Sequence, residues 1–243
     1  MKVSIVINVL NSHEVIRRHI EHFKGMKLPD NVEIVFVDDG STPPISFPNS
    51  GLRNLSIYYT NDKRPWTQGL ARNMGAKYAK GKYLMMTDAD HIFTKEVIDH
   101  VLSFEGDKMN FPRFYGALDK DGHLLIEKKD LWEYGLDPKR IVGRRGMCAG
   151  HHGNTFAIRK AIFEEMGGYK EKHCIGMMHQ GVGRGEDIYF YSAYHRCGKY
   201  KPMVSGPRIY MFPIGRFHIR GETNPTGLFH GLSYDLVPQQ MLP

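Results

Sequence analysis

Two runs of strand type in this chain end on carboxylates, and that placement limits the folds open to it. Tyr83-Leu-Met-Met-Thr87 is an apolar run of strand length, followed at once by Asp88-Ala89-Asp90. Alternate residues of a strand point the same way, so the two acids face one side where the strand stops. Glu33 to Val37 repeats the pattern, with β-branched residues leading into Asp38-Asp39-Gly40-Ser41-Thr42. The carboxyl ends of strands in open α/β sheets are where ligands bind. Neighbouring acids repel each other, and burying them singly is costly. A divalent cation removes the conflict. Oxygen ligands suit Mg²⁺ or Mn²⁺, which share their shells with substrate phosphates.

The first part of the chain alternates strands with helices. Val3 to Val9 is an apolar run, Ser12 is a candidate cap, and Val15, Ile16, Ile20 and Phe23 recur at helical spacing until Gly25 and Pro29. Leu55 to Tyr59 reads as a third strand. Thr67 opens a helix through Tyr78, with Leu70, Met74 and Tyr78 along one face and Gly81 as its stop. Thr94 caps a further helix carrying Val97, Ile98, Val101 and Leu102. This is the βαβ pattern of a parallel sheet. The second half is less regular. Met109 to Tyr115, His123 to Glu127, Asn154 to Ile158 and Arg208 to Met211 read as strands, Lys160 to Met166 as a short helix, and Glu186 to about Cys197 as another. Residues 128–153 and 169–185 read as loops. The expected architecture is a mixed, mainly parallel sheet flanked by helices in one domain over residues 1–221. Residues 1–104 form a nucleotide-binding half, 105–221 an acceptor and catalytic half, and 222–243 a tail.

Bulk properties restrict the partners. Hydrophobic residues make up 41% and charged residues 24%, and no run reaches the length of a membrane span, which fits a soluble chain. The start, Met1 to Leu10, lacks a small-residue cleavage site and reads as a first strand, not a signal peptide. Three cysteines, Cys148, Cys174 and Cys197, have no metal spacing and fit reduced thiols in a cytoplasmic protein. His151, His152, His173 and His179 match no zinc template. The net charge of +7 suits an anionic partner: a phosphorylated substrate, an acidic membrane surface or nucleic acid.

Taken in order, Val3-Ser-Ile-Val-Ile, Val37-Asp-Asp-Gly-Ser-Thr42, Ala71-Arg-Asn-Met-Gly75, Gly81 to Asp90, Gly153-Asn-Thr-Phe-Ala-Ile-Arg159, Gly167-Gly-Tyr169 and Gly185-Glu-Asp187 form a set. That set resembles the family 2 glycosyltransferases with the GT-A fold. The block from Gly153 to Asp187 is similar to the acceptor-side half of galactosyl- and N-acetylgalactosaminyl-type members. The resemblance implies transfer of a sugar from a nucleotide donor, usually a UDP-sugar, to an acceptor hydroxyl. Three departures stand out: the first strand ends in Asn8-Val9-Leu10-Asn11 where the family has Pro-Thr, His91 follows the acidic pair, and no membrane helix follows, so a processive membrane synthase is not expected.

The resemblance places the donor against Val9, Asp38, Asp39, Arg72, Asp88, Ala89 and Asn154. A carboxylate at Asp38 or Asp39 accepts from the N3–H of uracil, and the Arg72 fork suits phosphate or a base carbonyl. Asp90 is the expected metal ligand with Asp88 beside it, and His218 is the candidate third ligand, which would favour Mn²⁺ over Mg²⁺. Asp187, in a helix's first turn where the dipole keeps a carboxylate ionised, is the expected general base, which implies inversion at the anomeric carbon. Glu186 beside it would hold a sugar or acceptor hydroxyl. The run Gly181-Val-Gly-Arg-Gly185 suits a loop closing over the donor, and Trp66 or Trp132 could stack on a sugar.

Other functions are consistent with parts of this pattern. A sugar-nucleotide pyrophosphorylase would want a glycine-rich phosphate loop after the first strand, and Asn8 to Ser12 has no glycine. A basic nucleic-acid-binding protein without catalysis on the same fold, or a glycosyltransferase acting on a nucleic acid or phosphorylated lipid, would also account for the charge.

Overall fold

The structure is a computed structural model that describes residues 1–47, 50–64, 67–115, 117–118, 124–125, 148–174 and 185–211. Strands β1 (Val3–Val9), β2 (Val32–Asp38), β3 (Leu55–Tyr59) and β4 (Tyr83–Thr87) lie side by side and parallel, in the order β3-β2-β1-β4. Helix α1 (His13–Met26) connects β1 to β2, and α2 (Gln68–Tyr78) precedes β4. Strand β5 (His91–Ile92) and helix α3 (Lys95–Ser103) follow the acidic turn.

The second half completes the same sheet. Strand β6 (Lys108–Tyr115) and the long β9 (Cys148–Arg159) pair antiparallel, and β9 pairs antiparallel with β4. Between them β7 (Ala117–Leu118) and β8 (Leu124–Leu125) form a separate small hairpin. Helices α4 (Lys160–Glu165), α5 (Glu171–Cys174) and α6 (Glu186–Arg196) come next. Strands β10 (Val204–Ser205) and β11 (Ile209–Met211) run parallel to β6, and β5 adds antiparallel to β11. The result is a mixed sheet covered by helices on both faces.

Alternation along the strands builds two cores. Val3, Ile5, Ile7 and Val9 of β1 face α1 and α3, meeting Ile16, Ile20, Phe23, Val97 and Val101. Val6 and its neighbours face α2, α4 and α6. Each buried apolar side chain of this size contributes about 1.5–3 kcal/mol. Helix α2 turns its small residues inward: Gly69, Ala71, Gly75 and Ala76 are buried, together with Arg72. A Cβ on Gly75 would stand 2.4 Å from Val6 Cγ1, so glycine lets the helix sit close on β1. Leu70, Met74 and Tyr78 therefore occupy a flank and not the innermost face; Tyr78 stacks on Tyr58 at 4.4 Å between ring centroids.

Several local expectations shift. Gly25 lies inside α1, and Lys27 takes the left-handed cap at φ 51°. Neither Ser12 nor Thr67 caps with its side chain; Ser12 Oγ donates to Leu10 O and Thr67 Oγ1 to Asp39. Strand β9 begins at Cys148, well before Asn154, and β5, β10 and α5 are additional elements. Among the described residues no helix is long and apolar enough to cross a membrane.

Candidate active site

The carboxyl ends of β2 and β4 and the first turns of α2 and α6 meet around one buried arginine. Arg72 is completely buried on α2 and its Nη2 donates to Asp88 Oδ1. Its guanidinium lies 6.0 Å from the centroid of the Tyr169 ring. Burial opposes its charge, but Asp88, Tyr169, Glu186 and Asp187 together hold its pKa above the ordinary arginine value. Among the described residues its Nε and Nη1 are buried without a hydrogen-bond acceptor.

Tyr169 is locked from two sides. Asn73 Nδ2 donates to the Tyr169 carbonyl at 2.7 Å, and the Tyr169 N–H donates back to Asn73 Oδ1 at 2.9 Å. Its hydroxyl donates to Asn154 Oδ1 at 3.0 Å. Asn154, expected to read donor-sugar hydroxyls, is only 3% exposed and is turned to Tyr169, so it supports the platform beneath Arg72.

The two acids at the end of β2 divide their work. Asp38 Oδ1 accepts from the Ser41 N–H and Oδ2 from the Ile45 N–H, both at 2.8 Å. It ties its own turn with both carboxylate oxygens. Asp39 Oδ1 accepts from Thr67 at 2.8 Å and Thr60 at 3.2 Å. Burial raises its pKa, against the two hydroxyl bonds. Val9 packs its side chain into the core; only its carbonyl reaches this region, accepting from the Asp39 N–H at 2.8 Å.

Asp88, Asp90 and His91 bring one ligand atom each to within 4.8 Å of one another. Two carboxylates and an imidazole make a donor set that fits Mn²⁺, with a place for Mg²⁺ on the oxygens. The turn carrying them is held from behind by α1. His19 Nε2 is 2.7 Å from the Ala89 carbonyl, and His22 Nε2 is 2.7 Å from the Phe93 carbonyl. Burial lowers His19 to about 4, so it is neutral and can donate to Ala89 through Nε2–H. Ala89 thus serves as an anchor point through its backbone. His218, the expected third ligand, lies outside the described residues, as do Trp66, Trp132, the glycine run at 181–184 and the tail 222–243.

Asp187 and Glu186 open α6 beside this cluster. Asp187 Oδ1 accepts from the Ile188 N–H at 2.8 Å. Its side chain packs on β9: a Cβ at Gly153 would lie 2.8 Å from Asp187 Cβ. Glu186 is 3% exposed and accepts from Gln68 Nε2 at 2.6 Å, which joins the starts of α2 and α6. Gly69 sits under the same joint, where a Cβ would stand 2.6 Å from Cys174 Sγ. Burial pushes the Cys174 thiol up to about 12, so it acts here as packing.

The structure therefore brings together Asp39, Arg72, Asp88, Asp90, Glu186 and Asp187 as the sequence implied. Thr67, Gln68, His91, Tyr169, His19 and His22 are additions. His91 was visible as a departure after the acidic pair and Tyr169 as the end of the Gly167-Gly-Tyr169 motif, whereas Gln68 carries no pattern of its own.

Known proteins fit this geometry. The model of glycosyl transferase family 2 matches residues 4–167. The glycosyltransferase GlyG of Streptococcus pneumoniae serotype 4 is 28% identical over 182 residues, covering 68% of this chain and 58% of GlyG. The poly(ribitol-phosphate) beta-glucosyltransferase of Bacillus spizizenii is 32% identical over 108 residues, covering 40% of this chain and 16% of that protein. The crystal structure of S. aureus TarS 1-349 in complex with UDP superposes with a TM-score of 0.54 at 16% identity, over 87% of this chain and 60% of TarS, a likeness of fold. The chain spans 58% of GlyG and 17% of an uncharacterized glycosyltransferase from Rickettsia conorii. The fold is GT-A, and the chain belongs to glycosyl transferase family 2.

Proposed function

We propose that this chain moves a sugar from a UDP-sugar to an acceptor hydroxyl with inversion, using Mn²⁺ or Mg²⁺ and Asp187 as general base. The observation that carries this reading is the convergence of Asp88, Glu186 and Asp187 on Arg72. Strand ends supply the donor side and the start of α6 supplies the base. The UDP complex of TarS supports a nucleotide donor.

Each residue then has a task. Asp39 Oδ1 is occupied by Thr67 and Thr60, so Oδ2 accepts from the uracil N3–H. Arg72 offers Nε and Nη1 to a phosphate or base oxygen. Asp88 and Asp90 would hold the cation, which when bound would offset charge growing on the departing diphosphate. Asp187 takes the acceptor hydroxyl's proton as that oxygen attacks the anomeric carbon and the bond to the diphosphate oxygen breaks. Glu186, fixed by Gln68, keeps the α6 start in register with the donor side.

The acceptor we propose is a phosphate-bearing polymer or lipid. A net charge of +7 and the poly(ribitol-phosphate) specificity in the name of the Bacillus relative support it. The test is a panel of UDP-sugars with and without phosphorylated polyol acceptors. The expected outcome is sugar transfer that Asp187→Asn lowers by about 10³-fold while UDP affinity stays within about threefold. Near wild-type turnover by Asp187→Asn would place the base elsewhere. NMR of the product's anomeric proton tests inversion.

A further inference from the structure

We propose that His91 is a protein ligand of the divalent cation through Nε2, with Thr155 fixing the tautomer that makes it one. This rests on the metal-dependent reading of the donor site and extends it to a residue outside the acidic pair.

Three observations lead there. His91 Nδ1 lies 2.7 Å from Thr155 Oγ1 on β9, and both side chains are buried. With the proton on Nδ1 donating to that hydroxyl, Nε2 keeps its lone pair. Metal-bound histidines commonly use their second ring nitrogen this way. Next, Nε2 faces the acidic turn, 3.8 Å from Asp90 Oδ1. The donor atoms of Asp88, Asp90 and His91 all fall within 4.8 Å of one another. At bond lengths of about 2.2 Å, neighbouring donors on one ion stand about 3.1 Å apart and opposite donors about 4.4 Å, so the three atoms lie close enough to draw in around a single ion. Finally, the backbone of His91 is fixed: it is paired with Met211 at the edge of the sheet, and the neighbouring turn is held by His19 and His22.

The chemistry has a consequence. An imidazole raises affinity for Mn²⁺ and Co²⁺ far more than for Mg²⁺, whose preference is for oxygen. Site selectivity for Mn²⁺ then resides in His91.

The experiment is pulsed EPR of Mn²⁺ bound to the full chain with UDP, unlabelled and with ¹⁵N-histidine. Calorimetric titration with Mn²⁺ and with Mg²⁺ accompanies it. The variants are His91→Leu and Thr155→Val, with melting curves to verify folding. Wild type is expected to show histidine nitrogen modulation on Mn²⁺. His91→Leu is expected to abolish the modulation, weaken Mn²⁺ about tenfold or more, and change Mg²⁺ less than about threefold. Thr155→Val, which keeps the imidazole, is expected to weaken Mn²⁺ several-fold and so reports even if His91→Leu does not fold. Unchanged Mn²⁺ affinity and modulation in both variants would overturn the assignment and leave the acidic pair as the metal site. No Mn²⁺ binding by the UDP-loaded wild type would overturn the metal reading itself.

Discussion

Arg72 and Asp88, sixteen residues apart, form an ion pair whose guanidinium is fully buried and whose carboxylate is 15% exposed. Removing one partner of such a pair costs about 3–5 kcal/mol, because the other charge stays behind. Asp88→Asn removes the charge paired with Arg72 and leaves Tyr169, Glu186 and Asp187 around it. It is expected to lower Tm by several degrees and to weaken UDP binding about tenfold. Arg72→Lys is expected not to restore UDP binding, since a point charge lacks the guanidinium fork. Melting curves and UDP titrations of both variants check this.

Gly153 packs against Asp187, the proposed base. An added Cβ would stand 2.8 Å from Asp187 Cβ and 2.9 Å from its Oδ2. Gly153→Ala is expected to displace the carboxylate and cut kcat about tenfold to a hundredfold, with UDP affinity nearly unchanged. Equal losses in UDP affinity would mean that the substitution disturbs the whole site and not the base.

His19 positions the acidic turn from behind without touching substrate. His19→Leu removes the donor to the partly buried Ala89 carbonyl. The apparent Mn²⁺ affinity is expected to fall about threefold to tenfold, and His19→Gln, which restores an N–H at similar reach, is expected to recover most of it. A titration of Mn²⁺ in the presence of UDP distinguishes this from a plain stability loss, which glutamine would not repair selectively.

Lys108 is a buried cation away from the proposed chemistry. Its Nζ donates to Asn110 Oδ1 at 2.9 Å and faces the rings of Phe156, Tyr191 and Tyr194 at 4.7, 4.9 and 5.3 Å. Burial lowers it from 10.5 to about 7. The unfolded chain therefore holds a proton that the folded chain releases between those values. Stability should rise with pH across that window and be lost as pH falls towards 7, by at most about 1.4 kcal/mol per unit. Lys108→Met is expected to raise Tm at about pH 7 and to flatten this slope. Melts at about pH 7 and about pH 9.5 check both.

Much of this was legible in the chain, and what was not has physical causes. Strands β1, β3 and β4 begin and end where their apolar runs do, because each is covered on both faces or bounded by turn residues. The first part of β9 was hidden, since Gly150-His-His-Gly153 shows no alternation, and its pairing with β6 is broken by register shifts. Arg72 is placed at the donor by the resemblance alone, and its burial and its pairing with Asp88 emerge only from the fold. His19 and His22 read as polar helix residues. Their partners are carbonyls 70 and 71 positions away, which periodicity cannot reveal. Asp38 and Asp39 look equivalent in sequence, and only the fold of the turn assigns one to backbone N–H groups and the other to the hydroxyls of Thr60 and Thr67.

The most direct test of the account is calorimetric titration of the full chain with UDP, in Mn²⁺ and in EDTA, for wild type and Asp90→Asn. The account predicts UDP binding that Mn²⁺ strengthens about tenfold or more in wild type, and no such gain in Asp90→Asn. UDP binding of equal strength with Mn²⁺, with EDTA and in Asp90→Asn would contradict the metal-dependent donor site. No UDP binding under any condition, with salt-sensitive binding to nucleic acid instead, would contradict the donor reading as a whole.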